Sequence, residues 1–358
     1  MFHPLRVSEV DRLTDDAVAV TFDVPPELRE TFRHTPGQHI AVRRAAAAGE
    51  EGIRGEIRRT YSICAPAGPE PALRVGIRLV EGGEFSTWAL KELAVGDTVE
   101  VMEPTGRFVL EPRPGHFAAI VGGSGITPVL SIASTLLARE PDARFCLVRS
   151  DRTVASTMFL EEVADLKDRC PDRFQLVTAV SREEQQAGLG SGRLDRERLT
   201  RLLPALLPVD DIDGWFLCGP LGLVAGAERA LRGLGVRRDR IHQEIFHVDE
   251  ALAGAPAAAG AAASDLAGAT LTATLDGRSG SWPVRDGESL LETVLRGRAD
   301  APYACKGGVC GTCRAFLVSG EVRMDRNFAL EPDETEAGYV LACQSHPATG
   351  EVELDFDR

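Results

Sequence analysis

What this 358-residue chain lacks narrows its class first. It has no apolar run approaching the roughly 20 residues that a helix needs to span a bilayer, so no membrane partner is expected. Its opening, MFHPLRVSEV, has no basic stretch leading into an apolar one. The expectation is therefore no secretory signal and a cytoplasmic protein. In that compartment paired disulfides are disfavoured, and clustered cysteines point to metal binding or redox work. A basic excess is missing too: 40 Lys and Arg face 54 Asp and Glu, a net charge of −14 with no basic stripe, so no nucleic-acid partner is expected. Neither a catalytic triad nor a metal-hydrolase motif is present. The length exceeds what one ordinary core fills, and two or three domains are expected.

What is present changes pattern along the chain. Residues 1–113 carry short β-rich runs at 18–22, 38–42, 73–80 and 98–101, punctuated by Pro25, Pro36, Gly37, Gly82, Gly83, Gly96 and Pro104. That is the pattern of a small antiparallel barrel. Residues 114–246 alternate strand and helix. Strands are expected at 116–121, 145–149, 174–180 and 214–218. Helices are expected at 127–138, with Thr127 as N-cap and Pro128 at N1, at 159–167, and from Pro220. This is α/β with a parallel sheet. Residues 247–268, HVDEALAGAPAAAGAAASDLAG, are rich in Ala and Gly with almost no large apolar side chains, and read as a flexible linker. Residues 269–358 read as strands around one helix at 289–296.

After that helix comes Cys305-Lys-Gly-Gly-Val-Cys310-Gly-Thr-Cys313, with Cys343 further on. C-x4-C-x2-C…C is the ligand spacing of plant-type ferredoxins with a [2Fe–2S] cluster. Four thiolates have the number and softness for two sulfide-bridged irons. Structural zinc favours two C-x2-C pairs, and only one is present. Gly307, Gly308 and Gly311 let the loop wrap tightly and aim backbone N–H groups at sulfur.

Three further motifs precede the cysteines. In Arg59-Thr-Tyr61-Ser62, at the start of a barrel strand, arginine suits a phosphate, tyrosine can lie beside an aromatic cofactor, and serine sits at its edge. Gly82-Gly83-Glu-Phe85-Ser86-Thr87 places glycines and then hydroxyls at a helix start, a phosphate nest. Gly122-Gly123-Ser-Gly125-Ile-Thr127-Pro128 joins a buried strand to a helix, as Cys218-Gly219-Pro220 does later. Open α/β sheets bind ligands at such turns. The first is not the G-x-G-x-x-G fingerprint, which disfavours a common Rossmann dehydrogenase. Cys64, Cys146 and Cys170 read as packing residues.

The order R-x-Y-S, G-G-x-x-S, G-S-G-I-T-P, C-G-P and Glu244-Ile-Phe246 resembles the ferredoxin–NADP⁺ reductase superfamily across residues 1–246. With the plant-type ferredoxin behind it, the whole chain resembles the single-component reductases of multicomponent oxygenases. Residues 324–346 look like the reductase subunits of phenylacetyl-CoA epoxidases, a layout shared by reductases of steroid hydroxylases. The resemblance implies an FAD-binding antiparallel β-barrel, an NAD(P)-binding α/β domain and a β-grasp (α+β) ferredoxin domain. It also implies FAD held by Arg59, Tyr61 and Ser62, with Gly83, Phe85, Ser86 and Thr87 along its phosphates. Gly123, Gly125, Thr127 and Cys218 would frame the nicotinamide nucleotide. Phe246 would cover the other flavin face, and Ser62, Cys218 and Glu244 would line the hydride path.

Cys305, Cys310, Cys313 and Cys343 would hold the cluster. After the second strand of the nucleotide domain, Arg149 and Arg152 can clamp a 2′-phosphate and favour NADPH, whereas Asp151 between them would favour the free ribose hydroxyl of NADH or simply pair with an arginine. Nicotinamide releases two electrons at once and the cluster takes one, so a flavin must lie between. The partner implied is an oxygenase component, the diiron epoxidase of phenylacetate degradation first. The alternatives are a steroid or aromatic-ring hydroxylase, or an electron-transfer role without NAD(P)H oxidation. Glu331, Asp333, Glu334 and Glu336 would form an acidic face toward that partner.

Overall fold

The first strand, β1 (Phe2–Thr14), is easily overlooked in the sequence because bulges between Val7 and Glu9 and between Arg12 and Thr14 break its period of two. It joins β2 (Ala17–Asp23), β3 (His39–Arg44), β4 (Ile57–Ser62), β5 (Leu73–Arg78) and β6 (Thr98–Met102) in the order β4-β3-β6-β1-β2-β5. Among the described residues these strands pair antiparallel. A bridge between Ile63 and Val75 draws the two edges together, closing a barrel over Leu5, Val20, Ile40, Val75 and Val101. Helix α1 (Glu84–Lys91) follows β5. The computed structural model describes residues 2–44, 57–70, 72–183, 192–247, 268–298, 301–303, 306–309, 311–330 and 332–358.

The second layer is a parallel sheet of β7 (Gly115–Gly122), β8 (Ala143–Asp151), β9 (Phe174–Val180), β10 (Gly214–Pro220) and β11 (Ile241–His247), ordered β11-β10-β7-β8-β9. Its helices are α2 (Ile126–Arg139), α3 (Leu160–Arg169), α4 (Arg196–Leu206) and α5 (Leu221–Gly233). The chain winds outward from β7 through β8 to β9, then returns to the other side of β7 as β10. The strand order therefore reverses between β7 and β10, the place where such sheets bind ligands.

Barrel and sheet pack together in one compact unit, Met1–Val248. Small residues allow this close packing. Val18, Val20 and Phe22 on β2 point into the barrel, whereas Ala17 and Ala19 on its other face join the core of the nucleotide sheet with Phe117, Val129 and Phe159. A Cβ on Gly76 would lie 2.8 Å from Thr127 Cγ2 and 2.9 Å from Phe159 Cε2, so β5 comes this close only as glycine. Buried polar groups complete the seam: Ser131 Oγ donates to Ala65 O (2.6 Å), and Ala67 N donates to Thr135 Oγ1 (2.9 Å).

The other unit, Asp249–Arg358, holds β12 (Thr270–Leu275), β13 (Arg278–Pro283), α6 (Leu290–Gly297), β14 (Arg314–Ser319), β15 (Val322–Met324), α7 (Pro332–Glu336), β16 (Tyr339–Leu341), β17 (Ser345–Pro347) and β18 (Glu351–Asp355). Its sheet runs β13-β12-β18-β14-β16, with β12 parallel to β18, and grasps α6 through Leu290, Leu291 and Val294. Ser289 and Glu292 form a reciprocal capping box at the start of α6. The linker expected at 247–268 lies almost wholly outside the described residues. Among the described residues, no helix is long and apolar enough to cross a membrane.

Candidate functional site at the sheet switch point

The site grows from one contact between α2 and β10. A Cβ on Gly125 would stand 2.2 Å from Cys218 O, so only glycine lets the start of α2 reach the end of β10. Gly219, at φ +138°, passes as closely: a Cβ there would lie 2.8 Å from Gly122 O. The G-S-G residues form a 3₁₀ turn, Gly123–Gly125, and α2 begins at Ile126. This corrects the expected cap. Thr127 is already inside the helix, 1% exposed, and its Oγ1 donates to Ser124 O (2.9 Å), so it shapes the turn from within and leaves no side-chain surface for a ligand.

Strand ends from barrel and sheet meet here. R-x-Y-S closes β4 rather than opening it. Arg59 is exposed, Tyr61 is partly exposed, and Ser62 is buried with its hydroxyl on the Glu244 carboxyl. Glu244 lies on β11, opposite Cys218 on β10. Burial pushes its carboxyl up to about 8, against the opposing pull of the Ser62 hydrogen bond. Cys218 is fully buried, and burial with the Glu244 charge drives its thiol well above the ordinary value. His39, on β3, joins the site without belonging to any of its sequence motifs. Its Nδ1 lies 3.7 Å from Glu244 Oε1. Phe246 is partly buried at the end of β11.

Two expectations for the glycine-rich stretch before α1 are corrected. Phe85 is 1% exposed in the barrel core, its ring 5.6 Å from that of Tyr61 and 5.3 Å from that of Trp88. It therefore supports Tyr61 from beneath and cannot line a phosphate groove. Ser86 is also buried. Its Oγ donates to Gly83 O (3.1 Å) and accepts from Val80 N (3.1 Å), so it serves its own turn. Gly83 and Thr87 stay partly exposed.

Arg149 is corrected as well. It is 1% exposed, with Nε on Asp151 Oδ2 (2.7 Å) and Nη2 on Met158 O (3.1 Å), an inward pair that a coenzyme phosphate does not reach. Arg152 is exposed, and its carbonyl accepts from the backbone N–H of Arg182, also exposed, beyond the end of β9 (2.9 Å). Arg78 was not anticipated. Its Nε and Nη2 hold the Asp16 carboxyl (3.0 Å each), and Nη2 also donates to Ser156 O (2.6 Å). A Cβ on Gly123 would stand 3.1 Å from Arg78 Nη1, so a cation anchored on β5 faces the start of α2. A helix N-terminus beside a guanidinium suits an anion. No motif flags Arg78, because it comes from the barrel.

In the second unit Cys313 and Cys343 are 2% and 7% exposed, and Ala342 N donates to Cys313 O (3.0 Å), which holds the two positions side by side. Cys305 and Cys310 lie outside the described residues. Gly308 (φ +78°) packs where a Cβ would lie 3.0 Å from Gln344 Cγ, and Gln344 Nε2 donates to Lys306 O (2.9 Å). The described part of the cysteine loop is thus laced to the Cys343 turn, and the Cys313 and Cys343 thiols with this backbone fit an iron–sulfur cluster. In the first unit the partly exposed Tyr61 ring, exposed Arg59 and unpartnered buried atoms His39 Nε2 and Glu244 Oε2 fit a flavin and its coenzyme. Of the acidic face, Asp333 and Glu336 are exposed, Glu334 pairs with Arg314 (3.2 Å), and Glu331 is outside the described residues.

Comparison with known proteins agrees with this geometry. Residues 4–110 match the oxidoreductase FAD-binding domain, 119–229 the oxidoreductase NAD-binding domain, and 273–348 the 2Fe-2S iron-sulfur cluster binding domain. The class is that of a pyridine-nucleotide-dependent flavin and iron–sulfur oxidoreductase. More narrowly, the chain belongs to the family of oxygenase reductase components that carry FAD, NAD and 2Fe-2S domains in one polypeptide. It is 42% identical to one component of the 1,2-phenylacetyl-CoA epoxidase of Escherichia coli (strain K12), over 99% of this chain and 98% of that one. Identity is 32% with the ferredoxin reductase component of 3-ketosteroid-9-alpha-monooxygenase of Rhodococcus rhodochrous, over 98% and 96%. Among solved structures, a phthalate dioxygenase reductase superposes with a TM-score of 0.61 at 22% identity, covering 99% of this chain and 98% of that one. An intact type IV self-sufficient cytochrome P450 monooxygenase gives 0.69 at 23% identity, covering 99% and 41%.

Proposed function

We propose that this protein draws electrons from NADPH in the cytoplasm and delivers them to the diiron oxygenase of a phenylacetyl-CoA epoxidase. The observation that carries the partner is the 42% identity to the Escherichia coli epoxidase component along essentially the whole of both chains. When bound, FAD accepts an electron pair from the nicotinamide and a [2Fe–2S] cluster receives single electrons from it.

The chain's own residues hold and orient these groups. Arg59 would hold flavin phosphate, and Tyr61, backed by Phe85, would hold the isoalloxazine together with Phe246. Gly83 and Thr87 border the phosphates. Gly123 and Gly125 let the coenzyme backbone approach α2, where Arg78 Nη1 adds positive charge, and Ser62, Cys218 and Glu244 surround the nicotinamide end. Cys305, Cys310, Cys313 and Cys343 hold the iron. The domains divide at 1–113, 114–246 and 269–358, with 247–268 between them.

Purified reductase, NADPH and the purified diiron oxygenase should together epoxidise phenylacetyl-CoA. Turnover with a 3-ketosteroid hydroxylase oxygenase and none with the epoxidase would sink the assignment.

Coenzyme choice rests on Arg152 and Arg182. Replacing Arg152 by Ala should raise the NADPH KM about tenfold, the loss of one charge-assisted hydrogen bond, and leave the NADH KM in place. Arg78→Ala should raise both. A wild-type kcat/KM higher for NADH than for NADPH would overturn the preference.

A further inference from the structure

Four strands converge on one carboxyl. Glu244 comes from β11, Cys218 from β10, Ser62 from β4 and His39 from β3. The His39 backbone is held on both sides: its N–H donates to Thr105 O (2.8 Å), and Thr105 N donates to its carbonyl (2.9 Å). It also faces Ser62 across the β3–β4 ladder. Space for the ring comes from the next residue along, because a Cβ on Gly106 would lie 2.9 Å from His39 Nδ1. The imidazole is 7% exposed, with Nδ1 at 3.7 Å from Glu244 Oε1. Glu244 Oε2 is buried with no hydrogen-bond partner, and so is His39 Nε2.

We propose that His39 is the positioning residue of Glu244, accepting at Nδ1 the proton carried on Oε1 and leaving Oε2 as the carboxyl's open acceptor. The role deepens the reading above, in which Glu244 stands at the nicotinamide end of the site. The titratable groups facing Glu244 are His39 from β3 and Cys218 from β10; Ser62 from β4 adds a hydroxyl, and Phe246, two residues along β11, adds no charge. Burial holds His39 down to about 4 and Glu244 up to about 8, so near neutral pH the pair carries one proton and no net charge. At 3.7 Å Nδ1 and Oε1 stand just outside hydrogen-bond distance; the proposed pair is a protonated carboxyl facing a neutral imidazole, and a salt bridge would require that same proton to cross to the ring. Removing the ring takes stabilisation from the protonated form, so the carboxyl must ionise at lower pH without it.

The direct measurement is an infrared pH titration of the flavin-loaded protein, following the carboxylic C=O band that Glu244→Gln abolishes. In wild type the band should persist until pH approaches 8. In His39→Leu its midpoint should fall by one unit or more, a tenfold change in the ionisation constant. In His39→Asn, whose amide oxygen occupies the Nδ1 position, the midpoint should return to within a few tenths of wild type. If His39→Leu loses its flavin spectrum, His39→Gln, which places its amide at Nε2 and away from Oε1, replaces it. Midpoints unmoved, moved upward, or moved equally by the apolar and Asn variants would overturn the proposal. Failure of the underlying reading shows separately: Glu244→Gln would then keep wild-type kcat in NADPH-to-ferricyanide turnover, whatever the infrared midpoints.

Discussion

Cys313→Ser should abolish the visible absorption and the reduced-state paramagnetic signal of the iron–sulfur centre while NADPH-to-ferricyanide turnover stays near wild type. The two effects separate because the two units have separate cores. Among the described residues, Cys313 is buried with Leu341, Ala342 and Cys343 in the core of the second unit, and the core residues named for the first unit lie within Met1–Val248. On the proposed route ferricyanide takes electrons from flavin, whereas cytochrome c and the oxygenase take them through the iron. Their reduction should fall more than about 100-fold, beyond the loss typical of disturbing a ligand's supporting shell. Zinc without iron in the wild-type protein would refute the assignment of the cysteines.

Gly125→Ala should be nearly as damaging on the nucleotide side. Its Cβ would stand 2.2 Å from Cys218 O, 2.5 Å from Cys218 C and 2.8 Å from Gly219 N, all backbone atoms that cannot swing away. Either α2 retreats from β10 or the sheet distorts, and each separates the coenzyme turn from Cys218 and Glu244. A displacement of about 1 Å at a reacting pair costs on the order of 100-fold, the fall expected in kcat/KM for NADPH. Flavin reduced chemically should still pass electrons to the cluster at the normal rate, because that route bypasses the nucleotide turn. Gly233→Ala is the control: nothing lies within 4 Å of a Cβ there, and its kinetics should match wild type. Wild-type NADPH kinetics in Gly125→Ala would mean that the α2–β10 contact does not set the site.

The chemistry of this protein was legible in its sequence where it is contiguous. The spacing of Cys305, Cys310 and Cys313 identifies the type of iron–sulfur domain because the three thiols fall within nine contiguous residues. The strand–glycine–helix grammar at Gly122–Pro128 and at Cys218–Pro220 marks the two ends of a sheet switch point, because such turns need glycine next to a buried strand. The succession of these motifs placed the chain among oxygenase reductases, a membership its relatives bear out.

Direction and partnership required the fold. Period-two patterns cannot tell which face of a strand is buried when both are, so Arg149 resembles a phosphate clamp in sequence and turns inward onto Asp151 in three dimensions. Hydroxyls and aromatics at a helix start look like ligands from the motif alone, yet Ser86 and Thr127 tie their own turns and Phe85 fills the barrel. Arg78 reaches Gly123 from another layer, and His39 meets Glu244 across most of the unit's sequence. Local residues set which chemistry the chain can carry, because cofactor-binding loops and metal ligands are short-range patterns. Which carboxyl is buried and which histidine stands beside it were decided only when β3, β4, β10 and β11 met, since burial and distance arise from contacts remote in sequence.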